Sequence, residues 1–215
     1  MYEPAELMFE LADLAADWDS RDTRDVLAFV GRNGLLWHGA EKLGTGECRE
    51  PLEEWWVESR ILALLLNLYM DLKDSIEINS ALPLRQTLLD FTEVFQAGPP
   101  EPDDQALMEQ ASVYLAEVVT TKLEGCQIGI TSSVFLDVRS RGPGTFLLSQ
   151  RPPNLLTAAY VQFAQAIANR APVEECPGCG RMFVRESGKQ KYCSPSCAST
   201  SRWRKWKARQ DIQTD

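Results

Sequence analysis

Residues 52–77 read LEEWWVESRILALLLNLYMDLKDSIE and include the most apolar run of the chain. The apolar side chains recur almost all round a helix and not along a single stripe; they are Trp55, Trp56, Ile61, Leu62, Leu65, Leu66, Leu68 and Tyr69. Because a helix that is apolar on every side is usually buried, this stretch predicts a long central helix.

Weaker helical patterns surround this central stretch. Helical spacing predicts helices over 4–17, from Asp22 towards Gly31, over 83–96, from Asp103 to about Leu123, and over 154–169, with Asp22 and Asp103 as capping residues. The glycine-rich segment 32–51 favours loops, and the runs 134–138 and 145–148 around Arg141-Gly-Pro-Gly144 indicate a short β-hairpin. The sequence therefore predicts a mainly α fold, with a helical body over residues 1–170.

The charge is divided unevenly along the chain. The net charge is -9, but residues 171–215 carry nine Lys or Arg against five Asp or Glu, whereas residues 1–170 carry thirteen against twenty-six. This division indicates a second unit over 171–215, with a basic contact surface attached to an acidic body.

The sequence favours a cytoplasmic protein without a membrane span. No Lys or Arg precedes Arg21, so the basic flank of a secretory signal is missing. The apolar run from Ile61 to Met70 is interrupted by Asn67 and is about half the ~20 residues needed to cross a bilayer as a helix.

Four of the six cysteines lie in two close pairs near the end of the chain. Cys176-Pro-Gly-Cys179 and Cys193-Ser-Pro-Ser-Cys197 give the spacing C-x2-C-x13-C-x3-C. In a reducing compartment such pairs are better interpreted as metal ligands than as disulfides, and four sulfurs suit one tetrahedral, structural Zn²⁺. Ser194 and Pro195 predict the start of a helix, which puts Cys197 in the first turn of that helix. We expect the module to have a miniature core formed by Met182, Phe183 and Tyr192.

Alternatives to zinc remain at this point. The four cysteines could ligate an iron–sulfur cluster or be unligated core thiols. Cys48, Cys126 and the single histidine, His38, are isolated in sequence and are interpreted as ordinary structural residues.

The predicted terminal helix is strongly basic. It carries five cations in eight residues, namely Arg202, Arg204, Lys205, Lys207 and Arg209. This density favours contact with nucleic-acid phosphates. The alternative is a basic face that is merely solvated or paired within the chain. Trp203 and Trp206 could stack on bases, but we expect them to anchor the helix to the zinc core or the body.

These C-terminal residues resemble a known family. The residues that carry the resemblance are the segment LLTAAYVQFA over 155–164, Cys176-Pro-x-Cys-Gly180, Phe183, Tyr192-Cys-Ser194, Cys197 and the basic tail. They are similar to those of bacterial proteins that end in a CGNR-type zinc finger. Those proteins are regarded as transcriptional regulators, and some have a helical ABATE domain. The resemblance covers about residues 150–209 and implies that Cys176, Cys179, Cys193 and Cys197 bind zinc and that the following helix meets DNA. Cys197-Ala-Ser-Thr200 stands where the family has Cys-Gly-Asn-Arg, so contacts of that Asn or Arg are missing or displaced to Arg202.

The leading hypothesis is a zinc-binding transcriptional regulator that contacts DNA and whose body senses a small molecule or protein. The alternative is a protein-interaction adaptor whose zinc module binds another protein or its own acidic body. An enzyme is not expected, because no paired-histidine metal motif, nucleophile elbow, phosphate loop or dinucleotide fingerprint is present.

Overall fold

The computed structural model describes residues 6–15, 22–34, 36, 41–42, 48–49, 51–132 and 146–213. Within these residues the helices are α1 Glu6–Asp13, α2 Thr23–Asn33, α3 Leu52–Ile78, α4 Leu82–Phe95, α5 Asp104–Lys122, α6 Leu155–Ala168 and α7 Pro195–Gln213. The strands are β1 Glu41–Lys42, β2 Cys48–Arg49, β3 Gln127–Ser132, β4 Phe146–Arg151, β5 Val173–Glu175 and β6 Met182–Val184. The predicted mainly α fold is confirmed.

Side-chain caps fix the starts of three helices of the body. Asp22 accepts a hydrogen bond from the Arg24 backbone N–H, and Asp103 accepts one from the Ala106 N–H, as the sequence predicted. Asn154 caps α6 in the same way. Each cap satisfies a backbone donor that the helix itself cannot pair, so these short polar residues determine where the helices begin.

Helix α3 lies at the centre of the core, as its apolar sequence predicted. Its side chains Leu62, Leu65 and Leu66 are fully buried, and the helix contacts α1, α4, α5 and α6. Near its start, the Trp55 ring meets the Phe29 ring of α2 edge to face at 5.4 Å between centroids. The body is therefore a helical assembly that buries α3 on nearly every side.

One polar network crosses this core. Lys122 of α5 donates hydrogen bonds to both carboxylate oxygens of Glu58 of α3 at 2.6 and 2.7 Å, and Tyr160 of α6 donates to the second oxygen at 3.1 Å. Burial, and then the nearby Glu58 carboxylate, raise the pKa of Tyr160, so its phenol remains a donor. The Glu58–Lys122 ion pair and the Tyr160 hydrogen bond thus connect three helices.

The strands form three antiparallel pairs among the described residues: β1 with β2, β3 with β4 and β5 with β6. The predicted hairpin is present, but its described first strand is Gln127–Ser132, and the predicted run 134–138 and turn 141–144 lie outside the described residues. Strands β1 and β2 are a two-residue pairing inside the segment predicted as loops. The β5–β6 hairpin was not predicted.

The β5–β6 hairpin joins the C-terminal segment to the body. Val173 belongs to the buried core of the body, and Met182 and Val184 pack against that core. Phe183 lies between them in the strand and is also buried, but on the opposite face, because side chains alternate along a strand. None of the described helices combines the length and apolar character that crossing a bilayer demands.

Candidate metal centre and basic helix

The first cysteine pair lies in the turn of the β5–β6 hairpin. Cys176 donates its backbone N–H to the Arg181 carbonyl at 2.8 Å, and Gly180 donates to the Cys176 carbonyl at 2.8 Å. The φ of Gly180 is +75°, a left-handed conformation that glycine adopts without strain. These bonds bend the chain into a tight knuckle that holds Cys176 and Cys179 side by side.

Gly178 has a different role in the same knuckle. Its φ, unlike that of Gly180, is not in the left-handed region. A Cβ at this position would lie 3.2 Å from the Cys197 carbonyl oxygen and 3.3 Å from the Cys197 Cβ. Glycine is needed here because the knuckle and the start of α7 approach each other closely.

The second cysteine pair flanks the start of α7. The helix begins at Pro195, and Ser194 accepts a hydrogen bond from the Cys197 backbone N–H at 3.2 Å, as the predicted helix start required. Cys197 therefore lies in the first turn of the helix, as the sequence predicted.

The fold places the sulfur atoms of the four predicted metal ligands close together. All four Sγ atoms lie within 4.8 Å of one another, with Cys179 to Cys193 at 3.6 Å and Cys193 to Cys197 at 3.5 Å. A tetrahedral ion with metal–sulfur bonds of about 2.3 Å requires sulfur–sulfur separations of about 3.8 Å. All four cysteines are free thiols. This donor set fits one tetrahedral metal ion, and four cysteines so close together can bind one.

The surroundings of the thiols differ in their effect on pKa. Burial acts to raise the pKa of Cys176, but the backbone N–H groups of Cys193, Gly178 and Cys179 outweigh it and lower that pKa to about 6. Burial, followed by the neighbouring thiols, raises the pKa of Cys193 to about 12. Burial likewise raises the pKa of Cys179. A bound cation would supply the positive charge that four neighbouring sulfurs need in order to be thiolates together.

Helix α7 presents one face to this centre. Ser201, one turn beyond Cys197, is buried and forms a hydrogen bond with the Tyr192 hydroxyl at 3.1 Å. Arg204, a further turn along, donates to the Gly178 carbonyl at 3.3 Å. The spacing i, i+4, i+7 places these residues on one face, so the first turns of the helix are fixed against the knuckle.

The predicted nucleic-acid residues all lie in α7. Arg202, Arg204 and Lys207 are exposed, whereas the side chains of Lys205 and Arg209 lie outside those described. Within the described part of the chain, no carboxylate forms an ion pair with Arg202, Arg204 or Lys207. The helix therefore adds a positive surface to the module that the described acidic side chains of the body do not neutralise.

The expectation that Trp203 and Trp206 anchor the helix is wrong. The two residues are 56 % and 58 % exposed. At 3.6 residues per turn, Trp206 lies about 180° and Trp203 about 240° around the axis from Cys197, which is the side facing away from the knuckle. Hydrogen bonds and the cysteine, and not the tryptophans, hold the helix in place.

A polar cavity of about 380 Å³ lies where the body meets the module. Its charged lining is largely paired: Arg181 of the module contacts Asp13 of α1 at 3.3 Å, and Arg32 contacts Glu10 at 3.2 Å. Burial raises the pKa of Asp13, and Arg181 partly counteracts that effect. This ion pair joins the module to α1 beside the apolar contacts of the hairpin.

The other residues that the sequence singled out are the isolated Cys126, Cys48 and His38 and the expected miniature core. Cys126 is a partly buried free thiol outside the four-sulfur cluster. The side chain of Cys48, and His38 altogether, lie outside the described residues. Of the expected miniature core, Phe183 is buried, Tyr192 is partly buried beside Gly178, and Met182 packs against the body.

Comparison with known proteins adds no identification. No family profile matches the sequence, and no curated protein or solved structure shows significant similarity to it. The features of the chain that bear on its function are the geometry of the four sulfurs and the surface of α7.

Proposed function

We propose that this chain is a non-enzymatic, cytoplasmic DNA-binding regulator whose C-terminal module binds one structural Zn²⁺. The observation that carries the proposal is the fixed position of α7. Four sulfurs within 4.8 Å of one another and the Ser201 hydrogen bond hold the helix against the knuckle, while Arg202 and Lys207 remain exposed. A rigid cationic helix is suited to binding a phosphate backbone.

Zinc is the metal that the donor set favours. Four thiolates leave no open coordination position, which is typical of structural zinc sites. Sulfurs 3.5 and 3.6 Å apart leave room for a single ion between them, which favours zinc over a cluster of several iron atoms. The resemblance to CGNR-type zinc fingers is consistent with this proposal and forms part of it.

The proposed function is tested by salt-resolved DNA binding of the zinc-loaded full chain. We expect the logarithm of the association constant for duplex DNA to fall linearly with the logarithm of the salt concentration. In the variant Arg202→Ala/Lys207→Ala the slope should become about 2 less steep, since each lost phosphate contact removes about 0.9 from its magnitude. The matched control Lys189→Ala/Lys191→Ala removes the same charge from exposed residues of the module outside α7. Absent binding at low salt, or equal losses in both variants, would contradict a role for the helix.

A second candidate is an integral module that serves the body or a protein partner. It is favoured by the Arg181–Asp13 ion pair and by the packing of Val184 against the body core. In that case Arg181→Ala would weaken the body, and the zinc-loaded chain would bind no nucleic acid. Thermal unfolding measured together with the DNA titration separates the two candidates.

A further inference from the structure

The exposed tryptophans of α7 form an ordered surface. Counting at 3.6 residues per turn from Cys197, Arg202 lies at about 140°, Trp206 at about 180°, Trp203 at about 240° and Lys207 at about 280°. Two aromatic rings therefore stand side by side on the face opposite the metal centre, with a cation on each flank. We call these four residues the aromatic–basic stripe.

Each ring of the stripe is accessible for stacking. More than half of the surface of both tryptophans is exposed, and the Lys207 ammonium lies over the Trp203 ring at 5.5 Å from its centroid. Positions three apart on a helix have Cβ atoms about 5–6 Å apart, so the rings provide two neighbouring platforms. Large exposed aromatic residues held on a fixed helix point to a planar ligand.

We propose that Trp203 and Trp206 stack on unpaired bases of a nucleic acid while Arg202 and Lys207 hold the adjoining phosphates. This inference rests on the proposed nucleic-acid binding and specifies its substrate as single-stranded or locally opened strands. In a duplex the faces of the bases are covered by their neighbours, and a side chain reaches them only by paying the cost of unstacking. In a single strand the faces are open, and stacking on aromatic side chains tolerates any sequence.

The composition of the stripe argues against a membrane surface. An interfacial helix needs a broad apolar face, but the positions nearest the two tryptophans on the same side are Ser199 and Gln210. The apolar area is restricted to the two rings. Cations on both flanks, without a described carboxylate partner, match a polyanion with aromatic groups better than a lipid layer.

The experiment measures the affinity of the zinc-loaded full chain for five probes at one salt concentration. These are a mixed-sequence single-stranded DNA, the RNA of the same sequence, the corresponding duplex, an abasic strand with the same number of phosphates, and vesicles containing phosphatidylserine. The variants are Trp206→Ala, Trp203→Ala/Trp206→Ala and the conservative Trp203→Phe/Trp206→Phe. Leu82→Ala is the matched control, because Leu82 is an exposed apolar residue of the body.

We expect Trp206→Ala to weaken binding to single strands by at least about fivefold, and the double alanine variant by at least about 25-fold. Binding to the abasic strand should change by less than about twofold, and the double phenylalanine variant should retain most of the affinity. The comparison of DNA with RNA shows which of the two strands supplies the bases. One zinc per chain in every variant verifies that the module is intact.

Equal losses on the base-containing and abasic strands would overturn the inference, as would tryptophan-dependent binding to the vesicles alone. If Arg202→Ala/Lys207→Ala weakens binding while the tryptophan variants do not, the proposed DNA binding stands and this inference fails. If no nucleic acid binds at low salt, both fail.

Discussion

The body and the C-terminal module are stabilised by different means. In the body, α3 and its neighbours bury a continuous core that includes Trp55, Leu62 and Phe163. Within the described part of the module, residues 171–213, the buried side chains are only Val173, Cys176, Phe183 and Ser201. A segment with so few buried side chains needs another source of stability, and the four converging sulfurs provide one when they bind a metal.

The two regions should therefore respond differently to removal of the metal. The stability of the body depends on packing and on one polar network, neither of which involves the sulfurs. The position of α7 depends on the metal centre and on the hydrogen bonds of Ser201 and Arg204. Removal of the metal should therefore release the basic helix while the central helices remain folded.

The largest effect is expected from the loss of a metal ligand. Structural zinc in small modules contributes roughly 10–16 kcal/mol of binding free energy, so Cys179→Ser should remove most of the metal and the amide hydrogen-exchange protection of α7. Cys126→Ser is the control, because that thiol lies outside the cluster. Zinc content and exchange rates are measured on the same samples. Protection of α3 that falls as far as that of α7 would show that the two regions are not held separately.

A smaller effect, confined to the body, is expected from the largely buried Glu58–Lys122 ion pair. Glu58→Ala leaves the Lys122 ammonium and the Tyr160 hydroxyl without their acceptor, and should lower the free energy of unfolding by about 3 kcal/mol while one zinc per chain is retained. The control Arg85→Ala removes the Arg85–Asp104 pair, whose side chains are 42 % and 47 % exposed, so its loss of stability should be much smaller. Urea unfolding measures both. Equal losses would mean that burial of the Glu58 network contributes nothing beyond a surface pair.

The sequence was most informative where local rules apply. The all-round apolar pattern of residues 52–77 identified α3, the side chains of Asp22 and Asp103 predicted two helix starts, and Ser194-Pro195 predicted a third. The pairing of cysteines at two and three intervening residues predicted that their sulfurs would meet. Each of these signals depends on residues close together in the chain.

The sequence was less informative where distant segments meet. The need for glycine at Gly178 arises from its contact with Cys197, and the docking of the β5–β6 hairpin depends on a core formed far earlier in the chain. The orientation of Trp203 and Trp206, in contrast, was available from their helical spacing relative to Cys197. General experience with buried tryptophans favoured anchoring, and the phase of the helix decides against it.

The body and the C-terminal module should respond differently to pH. In the metal-free centre the pKa of Cys193 is about 12, and that of Cys179 is raised above its ordinary value of 9.0, so both thiols are protonated at pH 7. Metal binding must displace at least these two protons, and zinc affinity should therefore rise by at least about 100-fold per pH unit near neutrality. Below the Cys176 pKa of about 6 a further proton competes, and the dependence should steepen by about another tenfold per unit.

Calorimetric zinc titrations in two buffers of different ionisation enthalpy count the released protons, and competition with a chelator between pH 6 and 8 gives the affinity. At least two protons should leave for each metal bound at pH 7. The amide hydrogen-exchange protection factors of α3, which carries the buried Trp55 and Trp56, serve as the control and should remain constant over the same range, because no thiol of the cluster contributes to the core around α3. Release of fewer than one proton, or an affinity that is flat with pH, would mean that the sulfurs are already ionised before the metal arrives and that the module is preorganised without it.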